Sequence, residues 1–484
     1  MRHYFSGQPK GLYPLCFTEL WERFGFYVVQ TILVLYMSHQ LGYSDTFSYL
    51  LYGAFSSLLY LTPVIGGYVA DRILGFRQSI VIGGVLFFIG YAVMAIPITE
   101  VFFLGLSIVI VANGLFKPNV SSIVGDLYGR DDPRRDGGFT LFYMGINIGA
   151  VIPPIFAGPL VNTYGWHWGY LTAALGMVVA LATFIGFRRK LANRGEVPAT
   201  SPLRRGKKGL VYGLTGIIIV ATIGLLDLLF RSPEQTNLIL TFASSLIVLG
   251  LIYFYFKEKK EHRSKLLACL ILILVSIGFW AVYIQTYTSL TLFADRNMSK
   301  EFLGFTIDAE FIQFFNPFFI IVLSPLLSGF WIWLSDRKKD PSTPAKFSLG
   351  ILFMAAGFLF LGVGTRWFSD GGMSSPWWLA SSYFLQTIGE LLLSPIGLAM
   401  ITRLTPSHLV GMMMGVWFLT QSAAFAIGGG LATWAAVPKG TTIVNSLEIY
   451  SEAFMRYGYL SLALAVISFF LIPYVKKLGG ETHG

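Results

Sequence analysis

Charge is scarce in this chain. Of its 484 residues only 12% are Asp, Glu, Lys or Arg, while 55% are hydrophobic and the mean hydropathy is +0.65. A soluble domain is about a quarter charged, so the deficit excludes that class and leaves a polytopic membrane protein. Cysteine is almost missing. Cys16 and Cys269 both lie in apolar runs, which excludes a disulfide framework. The histidines (His3, His39, His167, His262, His408 and His483) fall at termini, loops or span ends, so a histidine proton relay is not expected. There is no HExxH, no GxSxG and no cluster of histidines or cysteines, so neither an enzyme nor a metal site is expected. The N-terminus MRHYFSGQPKG has no cleavable signal pattern, and insertion is expected to use the first span.

What the chain does have is apolar runs of spanning length. Fourteen segments of about 20 residues can each cross a bilayer as a helix, joined by short connections except for RRKLANRGEVPATSPLRRGKK after the sixth. Of the 35 lysines and arginines, Arg231, Arg296, Lys300, Arg366, Lys439 and Arg456 fall on one side of the membrane and Arg23 and Lys117 fall within spans. All the others lie on the opposite side, with both termini. This asymmetry predicts cytoplasmic termini, and it accounts for the formal net charge of +10 without nucleic acid.

The sequence also repeats itself. TPVIGGYVADR (62–72) is echoed by SPLLSGFWIWLSDR (324–337), and GLFKPNVSSIVGDL (114–127) by GELLLSPIGLAMITRL (389–404). The echoes divide the chain into an N-terminal six-helix bundle over 1–190 and a C-terminal six-helix bundle over 265–484. A linker and an inserted two-helix hairpin occupy 191–264. Parallel six-helix repeats are a transporter plan, with the substrate site between the halves.

Few charges lie inside the spans. Glu19, Glu22 and Arg23 share one helix face at the start of TELWERFGFYVVQTILVLYM, because residues three and four apart stack, and Tyr27 continues that stripe. Each ionisable group is costly at mid-span, so such a group marks a functional site with a partner nearby. Lys117 and Glu390 also lie mid-span, whereas Asp227 and Glu310 near span ends are expected to be interfacial anchors. The deep cations, Arg23 and Lys117, belong to the first half, and Glu390 belongs to the second. A cavity between the halves would have a positive and a negative wall, suited to a zwitterion with a carboxylate and an amine. Asn147, Asn316 and Gln285 add donors and acceptors, and Tyr27, Tyr60, Trp280 and Trp417 add apolar surfaces with polar tips.

ELWERFGFY resembles the E-x-x-E-R-F-x-Y-Y signature of the proton-dependent oligopeptide transporter (POT) family, a branch of the major facilitator superfamily. GGYVADRILG, GLFKPN, FYMGINIGA, FFNPFFIIVLSP, GELLLSPIGLAMITRLTP and GMMMGVWFL follow in the family's order, over nearly the whole chain. The resemblance implies an all-α integral membrane protein of major facilitator fold, with the inserted hairpin of bacterial members. It implies a symporter for di- and tripeptides that resembles bacterial dipeptide and tripeptide permeases. Its coupling ion would be the proton, with no cofactor, and it would sit in the cell's inner membrane, working as a monomer.

Arg23 and Lys117 would then meet the peptide carboxylate, and Asn147, Asn316 and Glu390 its amino end. Tyr27, Tyr60, Trp280, Gln285, Ser394 and Trp417 would complete the substrate site. Glu19, Glu22, Arg23, Lys117 and Glu390 would couple protons. The chain departs from the pattern at Phe26, where the signature has tyrosine. It also has Gln30 and Ile284, where many members have an arginine and a carboxylate, and Gly53, where animal members have histidine. The alternatives are a carrier of another small zwitterion or anion, such as nitrate, and a sensor that does not transport.

Overall fold

The computed structural model describes residues 7–480 apart from 130, 131, 133, 205, 207 and 406–409. The long helices are α1 (Leu12–His39), α2 (Asp45–Val69), α3 (Phe76–Met94), α4 (Thr99–Asp126), α5 (Arg135–Val151), α6 (Pro153–Tyr164), α7 (Trp166–Gly186) and α8 (Lys208–Phe230). They continue with α9 (Pro233–Lys257), α10 (Lys260–Tyr283), α11 (Ser289–Asn297), α12 (Phe315–Asp336), α13 (Thr343–Trp367), α14 (Pro376–Leu404), α15 (Val410–Ala432) and α16 (Ile443–Gly479). The only strands among the described residues, Glu301–Phe302 and Phe305–Thr306, make a two-residue hairpin. Thirteen segments among the described residues are long and apolar enough to span a membrane. The 28-residue α1, with Glu19, Glu22 and Arg23, makes the fourteenth.

Two predicted spans are broken helices. The fifth stops at Val151 and restarts at Pro153–Pro154, because proline has no N–H to donate and crowds the preceding turn. The ninth is interrupted by a 3₁₀ turn, Ile284–Tyr287, between α10 and α11. Lipid offers no hydrogen bonds, so the freed groups must be met by protein. Tyr383 Oη donates to the Thr286 carbonyl at 2.9 Å, and Gln285 Nε2 donates to the Gly428 carbonyl at 3.0 Å.

The chain forms two compact units: Met1–Tyr36 with Leu58–Ser232, and Met37–Ser57 with Pro233–Gly484. The inserted hairpin is thereby shared. In the first unit α8 packs against α4, and in the second α9 packs against α15. The stretch between α7 and α8 folds back on the first unit. Leu203 and Val211 form a small core with Leu74 in the π-helical turn Ala70–Leu74 that follows α2, and Ser201 Oγ donates to the Ile73 carbonyl at 2.6 Å.

The second unit holds residues 37–57 by charge and by close approach. Asp45, at the start of α2, forms a two-pronged pair with Arg296 of α11 at 2.6 and 2.8 Å, and also accepts the Val437 N–H at 3.0 Å. Arg296 donates to Tyr450 Oη and Ser38 Oγ as well. Nearby, α2 and α15 touch backbone to backbone. A Cβ on Gly53 would stand 2.7 Å from Gly429 Cα and 3.0 Å from the Phe425 carbonyl oxygen. Neither atom can move without moving a helix. Gly53→Ala should therefore cost about 1–3 kcal/mol, the usual penalty of overpacking. In α15 a Cβ on Gly415 would meet nothing within 4 Å. Thermal unfolding in detergent should show a lower midpoint for Gly53→Ala and no loss for Gly415→Ala.

Candidate transport site: a charged cluster in each unit

In the first unit the signature folds into an ion cluster. Glu19 and Glu22 are 1% and 0% exposed and Arg23 is 3% exposed. The guanidinium grips both oxygens of Glu22, with Nε to Oε2 and Nη2 to Oε1 each at 2.5 Å, and lies 3.6 Å from Glu19 Oε1. Such a fork is the strongest geometry open to an arginine and a carboxylate. Glu19 Oε2 is buried without a partner among the described residues. The guanidinium also lies 4.6 Å from the centroid of Phe26, whose ring stands where the signature has a tyrosine.

Lys117, on α4, stands 5.3 Å from the ring centroid of Tyr60 and within electrostatic reach of Glu22, Glu19 and Arg23. Among the described residues, no ion pair within 4 Å holds it. Tyr27 also senses Arg23 electrostatically. Asn147 is buried on α5 and donates to the Tyr143 carbonyl of its own helix at 2.9 Å. Two residues later a Cβ on Gly149 would meet the Leu20 carbonyl at 2.4 Å, so a glycine there lets α5 approach α1 beside Arg23.

The second unit gathers around Glu390 on α14. Glu390 Oε2 accepts from Asn316 Nδ2 at 2.8 Å and from Tyr283 Oη at 3.1 Å, and Asn316 also donates to Thr387 Oγ1. Trp280 packs edge-on against Tyr283, with ring centroids 5.1 Å apart, and its Nε1 is buried without a partner among the described residues. Ser394, half-buried, lies one turn beyond Glu390 on the same helix.

Two predicted residues stand differently. Gln285 is fully buried, its amide spent on the Gly428 carbonyl and on the hydroxyls of Thr288 and Ser289. Trp417 is 1% exposed and packs as core. Of the two expected anchors, Asp227 pairs with Arg231 at 3.0 Å near a helix end. Glu310 is 4% exposed, because the 3₁₀ turn Ala309–Phe314 tucks it against α11 rather than toward an interface.

Tyr283 and Thr387 were not anticipated. Both were accessible to helical spacing, Tyr283 three residues after Trp280 and Thr387 three before Glu390.

A buried ion cluster in one unit and an amide-held carboxylate in the other, within an all-α membrane fold, define a carrier of the major facilitator type. Residues 77–449 match the POT family model, and the chain belongs to that family. It is 38% identical to the dipeptide and tripeptide permease B of Salmonella typhimurium, covering 97% of this chain and 96% of that one. The permease of the same name from Aeromonas hydrophila is also 38% identical, covering 97% and 94%. A crystal structure of a peptide transporter POT in complex with sulfate superposes with a TM-score of 0.86 at 33% identity, covering 98% and 96%. A tetrameric crystal form of the transporter PepTSo2 gives 0.85 at 29%, covering 97% and 99%.

The Arg23 fork sets up a stability test independent of transport. Arg23→Gln leaves two buried carboxylates without their cation and should cost about 3–5 kcal/mol. Adding Glu22→Gln removes the orphaned charge and should recover much of the loss. The thermal midpoints in detergent should rank wild type, then the double variant, then Arg23→Gln.

Proposed function

We propose that this chain is a proton-coupled symporter that imports di- and tripeptides by alternating access. The observation that carries the reading is the unequal state of the two deep cations: Glu22 occupies Arg23, while among the described residues Lys117 has no carboxylate at ion-pair distance. The peptide carboxylate goes to Lys117, and Arg23 joins it once Glu22 takes a proton and loosens the fork. Proton and peptide then favour each other's binding by the same factor. Glu390, held by Asn316 and Tyr283, takes the peptide amine. Tyr27, Tyr60, Asn147, Trp280 and Ser394 complete the peptide's surroundings, and Glu19 is the second proton carrier. Gln285 supports the break in its helix. The carrier lies in the cell's inner membrane with both termini cytoplasmic. It works as a monomer, and the proton is its only coupling ligand.

The driving force is sufficient. About 100 mV moves a proton with roughly 2.3 kcal/mol, and each pH unit adds about 1.4 kcal/mol. Together they allow several-hundred-fold accumulation.

Counterflow of labelled dipeptide in proteoliposomes, with and without an imposed pH gradient, tests the reading. Glu22→Gln should lose uphill, pH-driven uptake and keep exchange that needs no gradient. Lys117→Ala should do the same and bind peptides more weakly. A folded Glu22→Gln protein that still concentrates peptide would refute the coupling. Exchange of another zwitterion or of nitrate, and of no peptide, would refute the substrate.

Glu390 is tested separately. A charge-assisted hydrogen bond is worth roughly 1.5–3 kcal/mol. Glu390→Gln should therefore weaken free dipeptides by about 10- to 150-fold and spare N-acetylated ones. Equal loss for both would remove Glu390 from the amine.

A further inference from the structure

The basic end of the first unit holds a cavity of about 650 Å³ that the transport site does not use. Arg77 at the start of α3, Arg188 and Arg189 in the 3₁₀ turn after α7, and Tyr212 at the start of α8 line its polar side. Ile82 and Ile185 line its apolar side, and among the described residues no carboxylate contributes. Among the described residues none of the three arginines forms an ion pair. The Arg23 cluster and the Asp45–Arg296 pair, by contrast, have their counter-charges in the protein.

The cavity is built from fixed parts. The Arg77 N–H donates to the Gly195 carbonyl at 2.9 Å, and its Nη2 donates to the Ala192 carbonyl. Its Nε is buried without a partner among the described residues, a donor left over at the cavity wall. An unmet buried guanidinium donor is costly, so a site that retains one calls for an acceptor from outside the chain. Tyr212 Oη donates to Gln78 Oε1 at 2.9 Å, joining α8 to α3 at the rim.

Three arginines with no acid ask for an anion with several acceptor oxygens, and a phosphate ester fits them. The surroundings say what carries it. Ile185 and Tyr212 are each 44% exposed, and α8 presents Leu214, Ile217 and Ile218 outward at 51–66% exposure. Only 11% of the apolar window of α8 is buried. Surface this apolar belongs against acyl chains. We propose that the cavity seats the headgroup of an anionic phospholipid, with its tails along the outer face of α8. The proposed orientation puts it in the cytoplasmic leaflet, where basic pockets between helices hold such headgroups. The lipid would bridge the inserted hairpin to α3 and α7, giving the hairpin's first helix a membrane-dependent attachment.

Delipidated full-length protein in mild detergent, titrated with phosphatidylglycerol, phosphatidylcholine or inorganic phosphate and read by native mass spectrometry, tests this. Wild type should retain phosphatidylglycerol in preference to phosphatidylcholine. An arginine at a membrane surface is worth about 1 kcal/mol, about fivefold in affinity. Arg188→Gln with Arg189→Gln should therefore weaken phosphatidylglycerol by about 25-fold and leave phosphatidylcholine unchanged. Both side chains are exposed, so this variant tests the site even if Arg77→Gln does not fold. Equal retention of the two lipids by wild type, or unchanged phosphatidylglycerol binding in the double variant, would overturn the proposal. So would displacement of the lipid by millimolar inorganic phosphate, which would mark a soluble-anion site instead.

Discussion

An ionised side chain inside a bilayer must be answered by another group of the protein, since water is not there to answer it. The fork between Arg23 and Glu22 is this chain's most compressed response. It makes a span with three charges in five residues tolerable, and it fixes which charges are engaged. Because it consumes Arg23, the neighbouring Lys117 is left with an aromatic face and distant carboxylates. Glu19 keeps one oxygen unmet. The cluster is balanced well enough to fold, but its charges are unevenly engaged.

The second unit meets the same demand with neutral dipoles. Glu390 has two hydrogen-bond donors where Glu22 has a cation. A neutral donor holds a carboxylate's position without cancelling its charge. The interrupted helix follows the same rule for backbone: Tyr383 takes up the Thr286 carbonyl that the 3₁₀ turn releases, and Gln285 ties the turn to α15 at the Gly428 carbonyl. At residues 37–57 the rule produces the Asp45–Arg296 pair.

The spans, their basic asymmetry and the stripe Glu19–Glu22–Arg23 were legible because they rest on local composition and helical spacing. The role of Gln285 was not, since a buried glutamine facing ligand and one bracing a helix break look alike until Gly428 is seen beside it. Glu310 was misjudged for a related reason: proximity to a span end suggested an interface, but the 3₁₀ turn Ala309–Phe314 that contains it directs it inward. Asp45 and Arg296 lie 251 positions apart, and no spacing rule joins them. The basic stretch between α7 and α8 read as a linker because its apolar residues are few. Leu203 and Val211 are enough to fold it back, since Leu74 supplies the surface they need.

Gly53 and Gly429 each exclude a side chain from the other's helix. With no side chain on either face, nothing at this crossing can rotate out of the way. A shift of α2 at this point is therefore a shift of α15, and the pair passes on displacement as one stiff joint.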